Sequence, residues 1–475
     1  MMARMGTLVT LDFGTSYLKA ALFDEAGAIL ALHRELLRPS TAPANDWELD
    51  PARLLQAVRT ACDDLRTASP DGWRQATAIS FATQTNSFVL LDAADRALTP
   101  IILWPDGRAA DEPDLVAPFE TLPGRHVTGV PALSAQFMLP KLAWLQRHEP
   151  VVWSQAARLC LLSDYVTLWL TGEHVTEAGA AGLTGLVDVR EASWWAPACE
   201  CARLSPDWLP RIVRAATDLG PLRPAVAVEL ALPETCRFVI GCLDQYAGAI
   251  GTGNVEPGGV SETTGTVLAS VRYATRFDEH AEVGVFQGPG AAPTTFFQMC
   301  FGATSANLFE AFRNGLPDRQ SFEMLDQLAA EVQPGCDGLI AVADETGRQV
   351  RFDGVPQSVG HKARAILEAV ARALGEQVHR LCGEDCPPLI RSAGGAARSA
   401  LWLQIKADML GTAFAATTCP EPTSLGAAIL AGSGIGWGTV AELAGRWVQL
   451  GVVHEPNPAA RERYRQLAAL PWQGS

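Results

Sequence analysis

The chain lacks any run approaching the ~20 consecutive apolar residues of a membrane-spanning helix. It also lacks basic character. Lys and Arg number 37 against 52 Asp and Glu, leaving a formal net charge of −15, with no run of six or more Lys/Arg. A polyanion partner needs a basic face, so this balance argues against nucleic-acid binding. No low-complexity segment, short-period repeat or secretory pattern is present. After Met1 to Gly6 the apolar run is short and meets Asp12 at once, so the expectation is a cytoplasmic protein without a membrane role.

Zinc patterns are missing too. Most of the 11 cysteines stand singly in apolar stretches, as at Cys160, Cys242 and Cys300. The close pairs, Cys199 with Cys201 and Cys382 with Cys386, have no His at zinc spacing. Buried free thiols in a reducing compartment are the expectation. At 475 residues, two domains are expected. Hydrophobic residues at 48% and charged residues at 19% fit a soluble protein with large buried sheets.

What the chain does contain is one device used twice. Asp12-Phe13-Gly14-Thr15-Ser16 leads into the apolar run Tyr17 to Phe23, and Thr263-Thr264-Gly265-Thr266 leads into Val267 to Val271. At such Gly-Thr turns the backbone can approach a ligand closely, and amides and hydroxyls can cradle phosphate oxygens. Two of them point to two related lobes gripping a nucleotide. The turn Val255-Glu256-Pro257-Gly258-Gly259 marks the boundary, giving an N-terminal lobe over 1–254 and a C-terminal lobe over 255–475.

The pattern predicts a hairpin over Leu8 to Leu22, a third strand over Ala28 to Leu36, and a helix over Asp50 to Leu65. Strands are expected at Ala76 to Ala82 and Phe88 to Asp92, flanking the polar turn Gln84-Thr85-Asn86. Helices are expected at Pro140 to His148 and Ser163 to Thr171, and a buried strand from Phe238 to Cys242 runs up to Asp244. Ala247, Gly248, Ala249, Gly251 and Gly253 would let the next helix pack closely on a neighbour. That glycine order is not the Rossmann fingerprint, and none follows the first strand, which counts against a nicotinamide-dependent dehydrogenase.

Further on, His361 to Leu381 reads as a core-facing helix, and Ser424 to Ala431 as a small-residue helix for tight packing. Leu389-Ile390, then Ala393-Gly394-Gly395-Ala396-Ala397, then a helix from Ser399 to Leu410, form strand, Gly-rich turn and helix start, an anion or nucleotide cradle.

Phosphoryl transfer needs phosphate-gripping backbone, a metal-holding carboxylate and a base for the incoming hydroxyl. Gly14-Thr15-Ser16 and Gly265-Thr266 are candidate grips, with Lys19 adding positive charge. Asp12, at a strand end, suits Mg²⁺, and Asp244, at another, suits proton acceptance from a substrate hydroxyl. Singly, each also reads as a turn residue.

In that joint order the chain resembles the FGGY family of carbohydrate kinases, and most closely its xylulokinase branch. The similarity is carried by Leu11 to Lys19, Ile102 to Arg108 around Trp104 and Asp106, Lys141 to Pro150, Gly241 to Gln245, and Gly394 to Gly411 followed by Ser424 to Ala428. It implies an α/β protein with two lobes of the actin/hexokinase-like (ribonuclease H-like) ATPase fold and a cleft between them. It implies ATP and Mg²⁺ as cofactors and a small sugar or polyol as partner, with a homodimer among the assemblies left open. Asp244 would be the general base, and Asp12 with Asp244 would hold the metal. Gly14, Thr15, Ser16, Lys19, Gly265 and Thr266 would meet phosphates, and Gly394, Gly395, Ala396 and Ser399 the adenosine. Gln84, Thr85, Asn86, Trp104, Asp106 and Gln245 would line the sugar pocket.

The chain departs from the xylulokinase pattern where the sugar should lie. Gln84-Thr85-Asn86 stands for Gln-Met-His, and Pro105 for the usual Asn. Ala396 replaces the third Gly of the adenosine motif, and Gly335 to Pro356 lacks the usual Gly-Glu-Arg-x-Pro stretch. The implied activity is γ-phosphoryl transfer from ATP to a pentulose such as xylulose. Another ketose or polyol is the alternative, as is a catalytically silent sugar or nucleotide sensor on the same frame.

Overall fold

The computed structural model describes residues 6–41, 46–355 and 358–468. Met1 to Met5 of the N-terminal reading and Pro356 of the shortened segment lie outside the described residues, as do the last seven positions of the second lobe's range. Among the described residues, no helix is long and apolar enough to cross a membrane.

The expected hairpin forms from β1 (Thr7–Phe13) and β2 (Tyr17–Phe23), and β3 (Ile29–Leu36) pairs antiparallel with β2. All seven residues of β1 are buried. A strand covered on both faces is buried along its whole length rather than at alternate positions. β4 (Ala76–Thr83) then pairs parallel with β1. β5 (Asp218–Pro221), β6 (Arg237–Val239) and β7 (Cys242–Leu243) complete the sheet, in the order β5-β6-β4-β1-β2-β3 with β7 also on β4.

The helix Pro51–Ala68 covers part of this sheet. Asp50 caps it by accepting the Ala52 N–H at 2.8 Å, and Pro51 stands at its first position, where its missing N–H costs nothing. Leu54, Ala57, Val58, Ala61, Cys62 and Leu65 form its buried stripe. Each leucine or valine so buried contributes roughly 1.5–3 kcal/mol. Leu55, beside that stripe, is only partly buried.

One expected strand is broken. Phe238 to Cys242 is not continuous: β6 ends at Val239 and β7 starts at Cys242. Phe238 pairs with Ile79 and Cys242 with Ala82, so four steps on this strand face three on β4. The extra residue is a bulge. It centres on Gly241, where a Cβ would lie 1.6 Å from the Phe81 carbonyl oxygen.

The chain divides into two compact units that are not contiguous halves. The first runs through Val255 and adds Ala274–Gln298 and Glu421–Val448; the second takes Glu256–Tyr273, Met299–Pro420 and the chain from Gln449. The last two inserts of the first unit were expected in the second lobe. The physical reason is clearest for the small-residue helix Pro422–Gly434, which packs backbone to backbone on the helix Asp244–Gly251. A Cβ on Gly426 would lie 1.9 Å from the Ala247 carbonyl oxygen, and one on Gly251 1.7 Å from that of Pro422.

The second unit repeats the first unit's plan. β8 (Val260–Thr264) and β9 (Leu268–Ala274) form an antiparallel hairpin around Gly265. β10 (Leu389–Ala393) joins β8 in parallel, β11 (Ala413–Thr417) joins β10 in parallel, and β12 (Leu450–His454) closes antiparallel. The helix Val359–Cys382 buries a stripe of Ile366, Leu367, Val370, Leu374, Val378 and Leu381, as expected of a core-facing helix.

Because the two glycine helices have no room for a side chain, Gly426→Ala should lower the urea midpoint, costing about 1–3 kcal/mol. Gly445→Ala, where a Cβ meets nothing within 4 Å, should leave the midpoint within experimental error and serves as the control.

Candidate active site

Register brings the first unit's candidates to one level. In the parallel pairing Asp12 lies opposite Ala82, which lies opposite Cys242; Phe13, Thr83 and Leu243 form the next row. The residues that leave the sheet there are Gly14, Gln84 and Asp244. Ligand sites in α/β sheets gather at such carboxyl ends of strands.

Asp12 is 5% exposed, and Lys19, its partner across the hairpin, donates to its Oδ2 at 3.2 Å. Lys19 also pairs with Glu421 at 3.2 Å, and Arg34, opposite Lys19 on β3, pairs with the same carboxylate. Lys19 was expected as a phosphate grip; here its charge is shared between two acids. Burial alone would lower its pKa, but Asp12 and Glu421 outweigh that and hold it above the usual lysine value. Asp12 sits above the ordinary carboxylate value because burial outweighs Lys19's pull.

Asp244 opens the helix Asp244–Gly251 and accepts the Gln245 N–H at 2.7 Å. Its side chain keeps some accessible surface. Burial, then the negative charge of Asp12, raise its pKa to about 7, against the opposing pull of the Gln245 N–H and Lys19. A carboxylate poised near neutrality is suited to general-base work. Two carboxyls, with the charge of Asp12 raising the pKa of Asp244, also fit a divalent cation, which favours oxygen ligands and would relieve that repulsion.

The polar turn is committed to its own surroundings. Gln84 Nε2 donates to the Gly14 carbonyl at 3.1 Å, Thr85 Oγ1 to that of Ala180 at 2.6 Å, and Asn86 Nδ2 to that of Leu183 at 3.2 Å. Asn86 holds a left-handed φ of 58° and accepts the Met138 N–H at 3.0 Å. Trp104 is partly exposed, and its indole N–H donates to Thr15 Oγ1 at 2.8 Å.

Asp106 departs from its expected place in the sugar pocket. It is 0% exposed, and its carboxylate accepts from the Trp47 N–H at 2.7 Å and the Arg108 Nε at 2.8 Å. It braces the segment from beneath rather than presenting an oxygen to a ligand. Lys141 does similar work, donating to the carbonyls of Leu103 at 2.8 Å and Trp104 at 2.9 Å.

In the second unit Gly394 touches the second Gly-Thr turn. It has φ 86°, and a Cβ there would lie 2.7 Å from the Thr264 carbonyl oxygen. Gly395 and Gly265 have open space where a Cβ would go. Ala396 is absent from the residues with positive φ, so its methyl is tolerated. Ser399 caps the helix Ala400–Leu410 through the Trp402 N–H at 3.0 Å. The turn's carbonyls are pinned: Ser305 donates to Gly265, and Asn307 donates to Thr266 at 2.8 Å. Beneath it, fully buried Lys406 donates to Glu262 at 2.7 Å and Thr264 at 2.9 Å.

Sequence reasoning missed Glu421, Arg34, Ser87, Lys141, Lys406 and Glu262. The Pro at position 422 and the small residues after it mark a helix start, but nothing local ties Glu421 to Lys19. All eleven cysteines are free, and no group of three or more His, Cys, Asp or Glu among the described residues could hold a metal by itself.

Residues 7–251 match the FGGY family of carbohydrate kinases, N-terminal domain, and residues 324–435 its C-terminal domain. The xylulose kinase of Escherichia coli strain K12 is 31% identical over 85% of this chain and 84% of its own length. An autoinducer-2 kinase of Salmonella choleraesuis is 28% identical over 98% of this chain and 93% of its own. The solved structure of xylulose kinase from Rhodospirillum rubrum superposes with a TM-score of 0.87 at 26% identity, covering 97% of this chain and 96% of that one. The α/β, actin/hexokinase-like fold class follows from these likenesses.

Behind the site, Glu177 is 1% exposed and accepts the N–H groups of Gly179 at 2.7 Å and Ala180 at 2.8 Å. Burial raises its pKa to about 7. The folded chain therefore keeps a proton that the unfolded chain releases between roughly pH 4.5 and 7. Stability from this group is lost as pH rises through that window. Glu177→Gln should flatten the fall, so melts at pH 5 and pH 8 should show the variant gaining on the parent as pH rises.

Proposed function

The chain belongs to the FGGY family of carbohydrate kinases, and from that premise we propose how it works and what it phosphorylates. It is a sugar phosphotransferase, and kinases of this family use ATP. In our reading Asp244 takes the proton from the acceptor hydroxyl as that oxygen attacks the γ-phosphorus. Asp12 and Asp244 would hold Mg²⁺. When bound, the cation neutralises charge developing on the phosphates. Thr15 and Ser16 meet the transferred phosphate. Gly265 and Thr266, with Gly394, Gly395 and Ala396, receive the rest of the nucleotide.

The observation that carries this reading is the row Gly14, Gln84 and Asp244 at the level strand ends, with the Asp244 carboxyl held near pH 7. A sensor without turnover would have no use for a base so placed. The cytoplasm is the proposed location, and the eleven free cysteines, most of them buried, suit a reducing compartment.

The acceptor we propose is a small open-chain ketose, with a pentulose such as xylulose as the first choice, because xylulose kinases stand among the relatives. A different ketose or polyol is the second reading. It is favoured by Thr85 and Asn86, whose donors bond backbone carbonyls, and by Pro105, which has no N–H to offer. The likeness to an autoinducer-2 kinase points the same way.

A coupled ADP-release screen over pentuloses, hexuloses and polyols with Mg-ATP should reveal one preferred acceptor. On that acceptor, Asp244→Asn should cut kcat by about 10²–10⁴-fold, while calorimetric affinity for ATP stays close to the parent's. Unchanged turnover would overturn the assignment of the base.

A further inference from the structure

Three segments around the candidate site are joined in a closed ring of hydrogen bonds, and one residue not used above sits at its centre. Ser87 is 0% exposed. Its Oγ accepts the Trp104 backbone N–H at 2.8 Å and donates to Gln84 Oε1 at 2.9 Å. Gln84 Nε2 in turn donates to the Gly14 carbonyl at 3.1 Å. From the other side the Trp104 indole N–H reaches Thr15 Oγ1 at 2.8 Å. The ring thus passes from the Gly14-Thr15 turn through Gln84, Ser87 and Trp104 and back to Thr15.

We propose that Ser87 is a positioning residue that latches the Trp104 segment, expected to face the acceptor, to the Gly14-Thr15 turn, expected to face the phosphate. The inference rests on the phosphoryl-transfer reading above. The physical basis is the bonding capacity of a hydroxyl. Ser87 Oγ donates once and accepts once here, and among the described residues no other side chain bridges Gln84 to the Trp104 backbone. In a fully buried position, removing it leaves the Gln84 carbonyl oxygen and the Trp104 N–H without partners, each a costly group to strand. Lys141 holds the carbonyls of Leu103 and Trp104, so the segment would stay folded but keep only the indole bond to Thr15 as its tie to the turn.

The consequence concerns coupling. With the latch intact, Trp104 and Thr15 move as one body, and the acceptor and phosphate are held in one geometry. Without it, the turn can still receive ATP while the acceptor side is loose. Water then replaces the sugar hydroxyl as the attacking oxygen, giving ADP and inorganic phosphate instead of ADP and sugar phosphate.

The test compares the parent with Ser87→Ala. For the parent, ADP released per sugar phosphate formed should be close to one. The variant should show excess ADP and inorganic phosphate and a raised KM for the acceptor, with the KM for ATP within about twofold, since nucleotide affinity rests on other groups. If that ratio and both KM values match the parent while only the melting temperature falls, Ser87 is merely structural and the proposal fails.

A second readout needs no turnover. The Trp104 indole ¹H–¹⁵N resonance, assigned by its loss in Trp104→Phe, should exchange its proton with solvent faster in Ser87→Ala than in the parent. An unchanged exchange rate would overturn the latch. A parent that releases no ADP with any acceptor would instead overturn the phosphoryl-transfer reading, and the exchange measurement separates the two failures. If Ser87→Ala does not fold, Ser87→Cys, which keeps a weak donor and acceptor, should give an intermediate ratio; a parental ratio there would count against the proposal.

Discussion

The candidate site depends on parallel pairing in register. β1, β4 and β7 end at the same level because Asp12, Ala82 and Cys242 share one row, and Phe13, Thr83 and Leu243 the next. A slip of one residue in either pairing would turn every side chain of the slipped strand to the other face of the sheet. It would also move Gly14, Gln84 or Asp244 by roughly 3.3 Å along the strand, further than a hydrogen bond can follow. The bulge at Gly241 belongs to this constraint. Four steps on the β6–β7 run must match three on β4, and without the extra residue absorbed there Asp244 would miss the row.

Charge is concentrated where the sheet ends. Asp12 and Asp244 are carboxyls raised above their usual values by burial, and Asp12's charge raises Asp244 further. Lys19 lies between Asp12 and Glu421, and Arg34 supports the same glutamate. Removing one member would strand an opposite charge in a poorly solvated place, which is costly. The arrangement therefore behaves as a unit: Glu421 and Arg34, arriving from a late segment and an edge strand, govern how much of the Lys19 charge reaches Asp12. A second braced cluster, Asp106 with Arg108, lies under Trp104. Both clusters support backbone that lines the candidate site while keeping much of their own charge away from solvent.

The two units share one plan. In both, a hairpin turns at Gly-Thr, and its first strand runs parallel to a later strand that ends in a second turn, Gln84 to Asn86 in one and Gly394-Gly395 in the other. The likeness is topological, and the chemistry diverges. The first turn is backed by a lysine shared between two acids, the second by the fully buried Lys406 and Glu262 pair.

Much of this was legible in residue order. Strand-forming runs, the helix from Asp50 to Leu65, the core-facing helix of His361 to Leu381 and the two Gly-Thr turns are local patterns, and local patterns survive in a sequence. So is the pairing of Asp12 with a phosphate turn and of Asp244 with a strand end, which together pointed to phosphoryl transfer. Glu421, Ser87 and the burial of Asp106 were not legible. Each depends on which distant segment comes to rest beside it, and a sequence carries no direct record of that. The placement of Glu421 to Val448 in the first unit shows the same limit, since it turns on glycines whose missing side chains let two helix backbones touch. By itself, then, the amino-acid order determined the element types and the chemical parts, because these follow from neighbours in the chain. Only the tertiary structure decided which parts share charge, hydrogen bonds and burial, because those are set by distances in space between residues far apart along the chain.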